Sequence, residues 1–359
     1  INECFFLLDF FEEFRRLDTI EWNCRALLKE HLLTILKNQK IYWKQRGKVK
    51  GVKFGDENTK FFHTRASINY RHNKIAMLLN EDQIEITDHD GKAGLLWEAF
   101  KQRLGKSEGH IMHFDLEDLL ANQINPDIFK EIEQPFSDEE INNVVKDLPS
   151  DKSPGPDGFN NEFIKACWDI IGADVRNLVH AFHEGNISLE SINTSYITLI
   201  PKNSAPLTPS DFRPISLLNG VLKIITKLLA NRLQKVILQM IHVNQYGFLK
   251  DRVIQDCLGW SYEYIHQCLK SREELLVLKL DFEKAFDTIE HQAIIDILRA
   301  KGFGNKWISW IEMIFNSAST AVMLNGVPGK KIYCRRVVPQ GDPLSPLLFV
   351  IAADLLQSV

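Results

Sequence analysis

The chain has 359 residues, 45% hydrophobic and 25% charged, with a formal net charge of -4. That length supports one large or two ordinary domains with a real core, and the composition excludes a disordered or uniformly basic protein. No apolar run reaches the ~18 residues of a membrane span, no signal peptide is visible, and the six scattered cysteines lack a Cys-x-x-Cys pair, which argues against a zinc site or disulfide framework and for a reducing compartment.

Residues 3–40 repeat apolar positions every three to four residues (Phe5, Leu8, Phe11, Phe14, then Leu27, Leu28, Leu32, Ile35), which predicts helix. Residues 37–74 carry 11 Lys/Arg against two acids, Asp56 and Glu57, with Tyr42, Trp43, Phe54, Phe61, Phe62 and Tyr70 between them. Cations neutralise phosphates and rings offer stacking faces, so the stretch suits nucleic acid. A solvated basic helix beside a small core fits the composition as well. From 81 to 140 the sign reverses, with 16 acids against five bases. This part is predicted to be a connector containing an amphipathic helix near 95–104, with polar punctuation at Asn125-Pro126. It ends at a capping signal, Ser137-Asp-Glu-Glu140, ahead of Ile141, Val144 and Val145.

Two prolines and two glycines in Lys152-Ser-Pro-Gly-Pro-Asp-Gly158 force a fixed loop. A helix is predicted through Phe163, Cys167, Trp168 and Ile171, then a strand at Tyr196-Ile-Thr-Leu-Ile200 that ends in Pro201-Lys202. Asp211-Phe-Arg-Pro-Ile-Ser216 leads into a long helix over about 218–240. Residues 275–280 form a short apolar run ending at Asp281, which predicts a buried strand. Residues 320–324 and 331–334, around Asn325-Gly326, predict a hairpin, and 343–356 an apolar helix. Strands alternate with helices, so the class is α/β (α+β). The sequence opens on Ile1 and stops at Val359 inside that last helix, so both ends are expected to be cuts.

Three groups can carry chemistry, each with an ordinary alternative. Asp281, at a strand end, suits a divalent cation, since Mg²⁺ prefers carboxylate oxygen together with substrate phosphates, or it caps the strand. In Gln340-Gly-Asp-Pro-Leu-Ser-Pro346, Gly341 permits close backbone approach and Gln340 offers an amide, or the stretch only starts a helix. Lys202 and Arg213, each beside a proline, make a phosphate clamp or are two solvated charges.

Taken in order, Ser153-Pro-Gly-Pro-Asp-Gly, Ile200-Pro-Lys, Phe212-Arg-Pro-Ile-Ser, Gln245-Tyr-Gly-Phe, Leu280-Asp-Phe-Glu-Lys-Ala-Phe-Asp and Gln340-Gly-Asp-Pro-Leu-Ser-Pro resemble the reverse transcriptase domain of LINE-type (non-LTR) retrotransposons, plant elements in particular. Upstream, Tyr42-Trp-Lys-Gln-Arg-Gly and Phe54-Gly-Asp-Glu-Asn-Thr-Lys-Phe-Phe-His63 resemble the connector that precedes this domain. The resemblance implies a right-hand polymerase fold: a helical connector over 1–135, fingers over 136–240 and an incomplete palm over 241–359. It implies RNA-templated DNA synthesis by two-metal nucleotidyl transfer, with an RNA template, a DNA primer and dNTPs as partners, no membrane, and a nuclear or cytoplasmic particle as the place. It implies Mg²⁺ held by Asp281 and the Phe282 backbone carbonyl, with Asp281 catalytic. Phe286 would exclude a ribose 2′-hydroxyl, Lys202 and Arg213 would hold the triphosphate, and Gln340 and Gly341 would line the pocket. Lys44, Arg46, Lys48, Lys50 and Arg252 are the candidate nucleic-acid contacts.

The sequence departs from the family pattern at Val337, Pro339 and Asp251. The family's aromatic-x-Asp-Asp turn has no counterpart, since no Asp-Asp pair occurs in the 359 residues. Asp354 falls in an apolar helix and is a poor substitute. The 359 residues by themselves are therefore expected not to polymerise DNA. The other readings are a non-catalytic RNA-binding relic and a group II intron maturase-like protein. The last helix is expected to expose apolar surface.

Overall fold

The computed structural model describes residues 1–47, 60–105, 116, 126–150, 152–280, 289–336 and 341–357, with the backbone alone at 44, 45, 47, 60 and 126. They fall into two compact units, Ile1–Ile75 and Ala76–Val359.

The first unit holds α1 (Asn2–Phe14), α2 (Thr19–Gly47) and α3 (Lys60–Asn73). The helical run expected over 3–40 is interrupted before Thr19 by a reciprocal cap. Glu21 N donates to Asp18 Oδ1 at 2.7 Å while Asp18 N donates to the Glu21 carboxylate at 2.9 Å. Arg15 pairs with the same carboxylate, and this bonding holds Glu21 down to a pKa of about 2.

The second unit begins with a short antiparallel pair, β1 (Leu78–Leu79) and β2 (Glu85–Ile86), then α4 (His89–Gly105) and α5 (Pro126–Ile132). Pro126 opens α5, where a missing N–H costs nothing. In α6 (Asp138–Asp147), Ser137 Oγ accepts from Glu140 N at 3.1 Å, as the capping signal predicts. The helix expected through Phe163 and Ile171 is two, α7 (Asn161–Ala166) and α8 (Trp168–Glu184), meeting at Cys167. There follow β3 (Thr194–Pro201), β4 (Phe212–Leu218), α9 (Gly220–Val236), α10 (Ile254–Ser271), α11 (His291–Ala300), α12 (Asn305–Ser317), β5 (Ser319–Leu324), β6 (Val327–Tyr333) and α13 (Ser345–Ala353).

The four longer strands form one sheet in the order β4-β3-β5-β6. β3 pairs antiparallel with β4 and parallel with β5; β5 and β6 form the expected hairpin, with Asn325 at φ 53 and Gly326 at φ 90 as its two turn residues. Side chains alternate across a sheet. Ile197, Val322 and Ile332 therefore share one buried face, which α4 covers. Tyr196, Ile200, Arg213, Lys331 and Tyr333 share the other. The main core lies among the helices, where Leu228, Leu229 and Leu233 of α9, Trp307 and Trp310 of α12, and Val350 and Ile351 of α13 are essentially inaccessible.

Two expectations are corrected. Residues 275–280 are not a buried strand: they carry no secondary structure, and Leu276 and Leu278 are 92% and 75% exposed. An apolar run becomes a strand only where a partner supplies ladder bonds, and among the described residues no strand pairs with it. α13 does not expose its apolar surface: Leu347, Leu348, Val350 and Ile351 are buried against α9 and α11. A helix apolar on every side is accommodated here because neighbours cover most of its circumference.

Candidate functional site

The β3–β4 hairpin sets the first part of the site. Ile200 pairs with Arg213 and Pro201 with Phe212, and Lys202 N donates to Asp211 O at 2.8 Å just beyond the ladder. Lys202 is therefore two positions from Ile200 on the same face, diagonal to Arg213. Such diagonal neighbours sit roughly 7–8 Å apart. Both cations are exposed, and Lys202 Nζ is steadied by the Ser210 carbonyl at 2.8 Å.

The loop between them is tied by Asp211, a residue that sequence reading passes over. Its carboxylate accepts from Leu207 N (3.1 Å), Thr208 N (2.8 Å), Thr208 Oγ1 (2.9 Å) and Asn203 Nδ2 (3.1 Å), and these donors hold its pKa below the usual carboxylate range. A Thr-x-x-Asp spacing around a proline was the available signal.

The glycine- and proline-rich loop predicted at 152–158 docks where β4 passes into α9. Asp157 N donates to Asn219 Oδ1 at 3.0 Å, and Asn219 Nδ2 reaches Ile192 O at 2.9 Å and Thr194 Oγ1 at 3.2 Å. A Cβ on Gly155 would lie 2.5 Å from the Asn219 nitrogen, so only glycine fits. The half-buried Lys223 ammonium has its pKa lowered chiefly by burial, with Asp157 and Asp342 opposing that shift.

Asp342 anchors the other loop. It accepts from Leu344 N (3.0 Å), Ser345 N (2.9 Å) and Ser345 Oγ (3.0 Å) at the start of α13. Burial raises its pKa, against the lowering effect of the hydrogen bonds from Ser345 and Leu344 and of the nearby Thr226 hydroxyl. A cavity of about 20 Å³, lined in part by Asp342, Thr226, Asn193 and His291, adjoins it. Gly341 lies at φ 119, where an added Cβ would stand 3.0 Å from Ser216 O of β4. Gly341 and Arg213 are thus brought to one strand, three residues apart along β4, or roughly 10 Å at strand spacing.

Several of the remaining predicted residues fall outside what the structure describes, and the described ones have local partners of their own. Asp281, Phe282, Phe286, Gln340, Lys48 and Lys50 lie outside the described residues, as do Val337 and Pro339, and of Lys44 only the backbone on α2 is described. Arg46 stacks on Tyr42, 4.1 Å from the ring centroid, within the first unit. Arg252 donates at 2.6 Å to both His242 O and Gln245 O, which braces the turn before α10. Asp354 makes a buried ion pair with Lys301 at 2.9 Å and accepts from His242 N at 2.8 Å, a structural role. Among the described residues, no group of three His, Cys, Asp or Glu could hold a metal ion, and no helix is long and apolar enough to cross a membrane.

Comparison with known proteins adds to this geometry. Residues 200–358 match the family described as reverse transcriptase (RNA-dependent DNA polymerase). The chain is 33% identical over 224 residues to a transposon TX1 protein of Xenopus laevis, covering 62% of this chain and 17% of that one. It is 28% identical over 234 residues to a Pol polyprotein from the type-1 retrotransposable element R2 of Nasonia vitripennis, covering 63% and 21%. It is 25% identical over 222 residues to the RNA-directed DNA polymerase of the mobile element jockey of Drosophila melanogaster, covering 60% and 24%. The chain thus spans between a sixth and a quarter of the length of these relatives.

Proposed function

We infer, from the reverse transcriptase family of non-LTR retrotransposons to which residues 200–358 belong, that this chain supplies the nucleotide- and template-holding part of an RNA-directed DNA polymerase. In that role Lys202 and Arg213 grip the triphosphate of an incoming dNTP, while Gln340 and Gly341 line its pocket. The reaction is attack of a primer 3′-hydroxyl on the α-phosphate, so the protein's part is mostly positioning and charge stabilisation. The observation that supports the reading is a pair of exposed cations set diagonally on the β3–β4 hairpin, with the Gly341 backbone against Ser216, three residues from Arg213 along β4.

The family generally uses divalent metal ions, which stabilise the attacking and leaving oxygens when bound. Mg²⁺ held by Asp281 and the Phe282 carbonyl, with Phe286 as the sugar gate, belongs to the same proposal. Asp281 and Phe282 lie outside the described residues, among which no group of three His, Cys, Asp or Glu could hold the ion, so no step is routed through a metal. We assign 1–135 to a connector, 136–240 to fingers and 241–359 to part of a palm in a right-hand polymerase. RNA template and DNA primer are the partners, with Lys44, Arg46, Lys48, Lys50 and Arg252 as further contacts.

The test is DNA synthesis on a primed RNA template with Mg²⁺, by a longer protein that contains this chain and an Asp-Asp turn. Synthesis that falls about 10- to 100-fold with Arg213→Ala supports the reading, at the strength of a charge-assisted hydrogen bond. It must also disappear with Asp281→Ala. Undiminished synthesis by either variant contradicts it.

A further inference from the structure

A second place outside this pocket pairs cations with aromatic rings. On one side of β6, Lys101 Nζ of α4 and Lys330 Nζ lie 4.4 and 5.4 Å from the ring centroid of the half-buried Trp97. On the other side, Lys331 Nζ lies 4.9 Å from the ring centroid of Tyr333, which is 64% exposed. Past the strand end, Arg335 is exposed, and its backbone N–H is fixed by Leu104 O at 2.7 Å. From 327 to 336 the chain carries four cations and no acid; the fourth, Arg336, is taken up by Glu290 at 3.2 Å. β6 is the outer strand of the sheet, and its register puts Lys331 and Tyr333 on the face that carries Arg213.

We propose that the β6 edge and the end of α4 form a second contact for single-stranded RNA, in which Lys101, Lys330, Lys331 and Arg335 meet phosphates and Tyr333 stacks on a base. This rests on the reverse-transcriptase reading and names where template lies beyond the pocket. Between 327 and 336 the charge is of one sign where the chain as a whole is acidic, which suits a phosphate backbone. An exposed ring held by a neighbouring cation offers a face to any base, so contact is insensitive to sequence. Three strand spacings of roughly 4.8 Å separate β6 from β4, so one strand of RNA crossing the sheet spans both sites over about 14 Å.

The test measures binding of a fluorescent, unstructured single-stranded RNA to the 359-residue chain as salt is varied. Lys330→Gln with Lys331→Gln is expected to weaken binding and to reduce the slope of log affinity against log salt by about 1.4, near 0.7 per lost phosphate contact. Tyr333→Ala is expected to weaken binding about 5- to 100-fold with the slope unchanged. RNA bearing 4-thiouridine, cross-linked to the unsubstituted chain, is expected to label the peptide containing Tyr333, and this holds even if a variant fails to fold. Lysines that serve only to keep an edge strand from pairing with another chain would leave RNA affinity unchanged on substitution, which overturns the proposal. So does better competition by duplex RNA than by single strands. If the unsubstituted chain binds no RNA at all, the reverse-transcriptase reading of its surface falls as well.

Discussion

Arg232 shows how a single side chain decides the packing around α6 and α9. Its Nε and Nη2 donate to the two oxygens of Glu140 at 2.9 and 2.7 Å, its remaining donors take Ile132, Gln134 and Pro135 carbonyls, and it lies 3.9 Å over the Phe136 ring. Removing it leaves a carboxylate and three carbonyls without their donor. Arg232→Ala is therefore expected to lower unfolding stability by about 3–5 kcal/mol in a urea titration, and a loss under about 1 kcal/mol would contradict this bonding. Asp354 invites a similar test, because a catalytic and a structural aspartate respond differently. Asp354→Asn should destabilise the fold through its buried Lys301 while nucleotide affinity per folded molecule stays constant. His183 gives a pH signature. Burial against Trp310 and Phe136, with Lys306 Nζ 3.3 Å away, lowers its pKa below 6.5. The unfolded chain then binds more protons in the window between the lowered value and 6.5, so stability rises with pH across that window and levels off above it. His183→Gln should flatten this slope, and an unchanged slope would assign it to another group.

At the scale of elements, what was legible in the sequence followed from local chemistry. The Ser137 cap, the loop with Gly155 and the Asn325-Gly326 hairpin each state their backbone geometry in one or two residue types, and the structure has them there. β4 was not legible because Pro214 reads as a break; an edge strand tolerates it, since among the described residues only one side of the strand is laddered. The run at 275–280 misled in the opposite direction, because β-rich composition does not say whether a partner strand is there. Of the site, Lys202, Arg213 and Gly341 were readable from their motifs. Asp211, Asn219 and Asp342, which hold the loops in place, were not, because their partners are fixed only by tertiary structure or by turns that many sequences form. The exposed run makes a prediction of its own. Leu276→Lys with Leu278→Lys should raise solubility with a melting temperature unchanged within about 2 °C, because surface substitutions away from packed features shift stability little. A large drop in melting temperature would mean that the run packs against something.

For the whole molecule, the net charge of -4 conceals a division of labour. Basic residues are concentrated over 37–74, at the Lys202–Arg213 hairpin and along β6, while acids gather over 81–140. The sequence average could not reveal this; a window count shows the basic stretch over 37–74, while the β6 edge needs the sheet register to be seen. The convergence on β4 is therefore the point to test first. A photoreactive dNTP should be cross-linked to the chain and the labelled peptides mapped, with Lys202→Ala and Arg213→Ala side by side. Label in the β3–β4 hairpin and the segment around Gly341, falling about tenfold or more in each variant, is the predicted result. Label elsewhere in the chain, or equal labelling of both variants and the unsubstituted protein, would contradict a nucleotide pocket at this place.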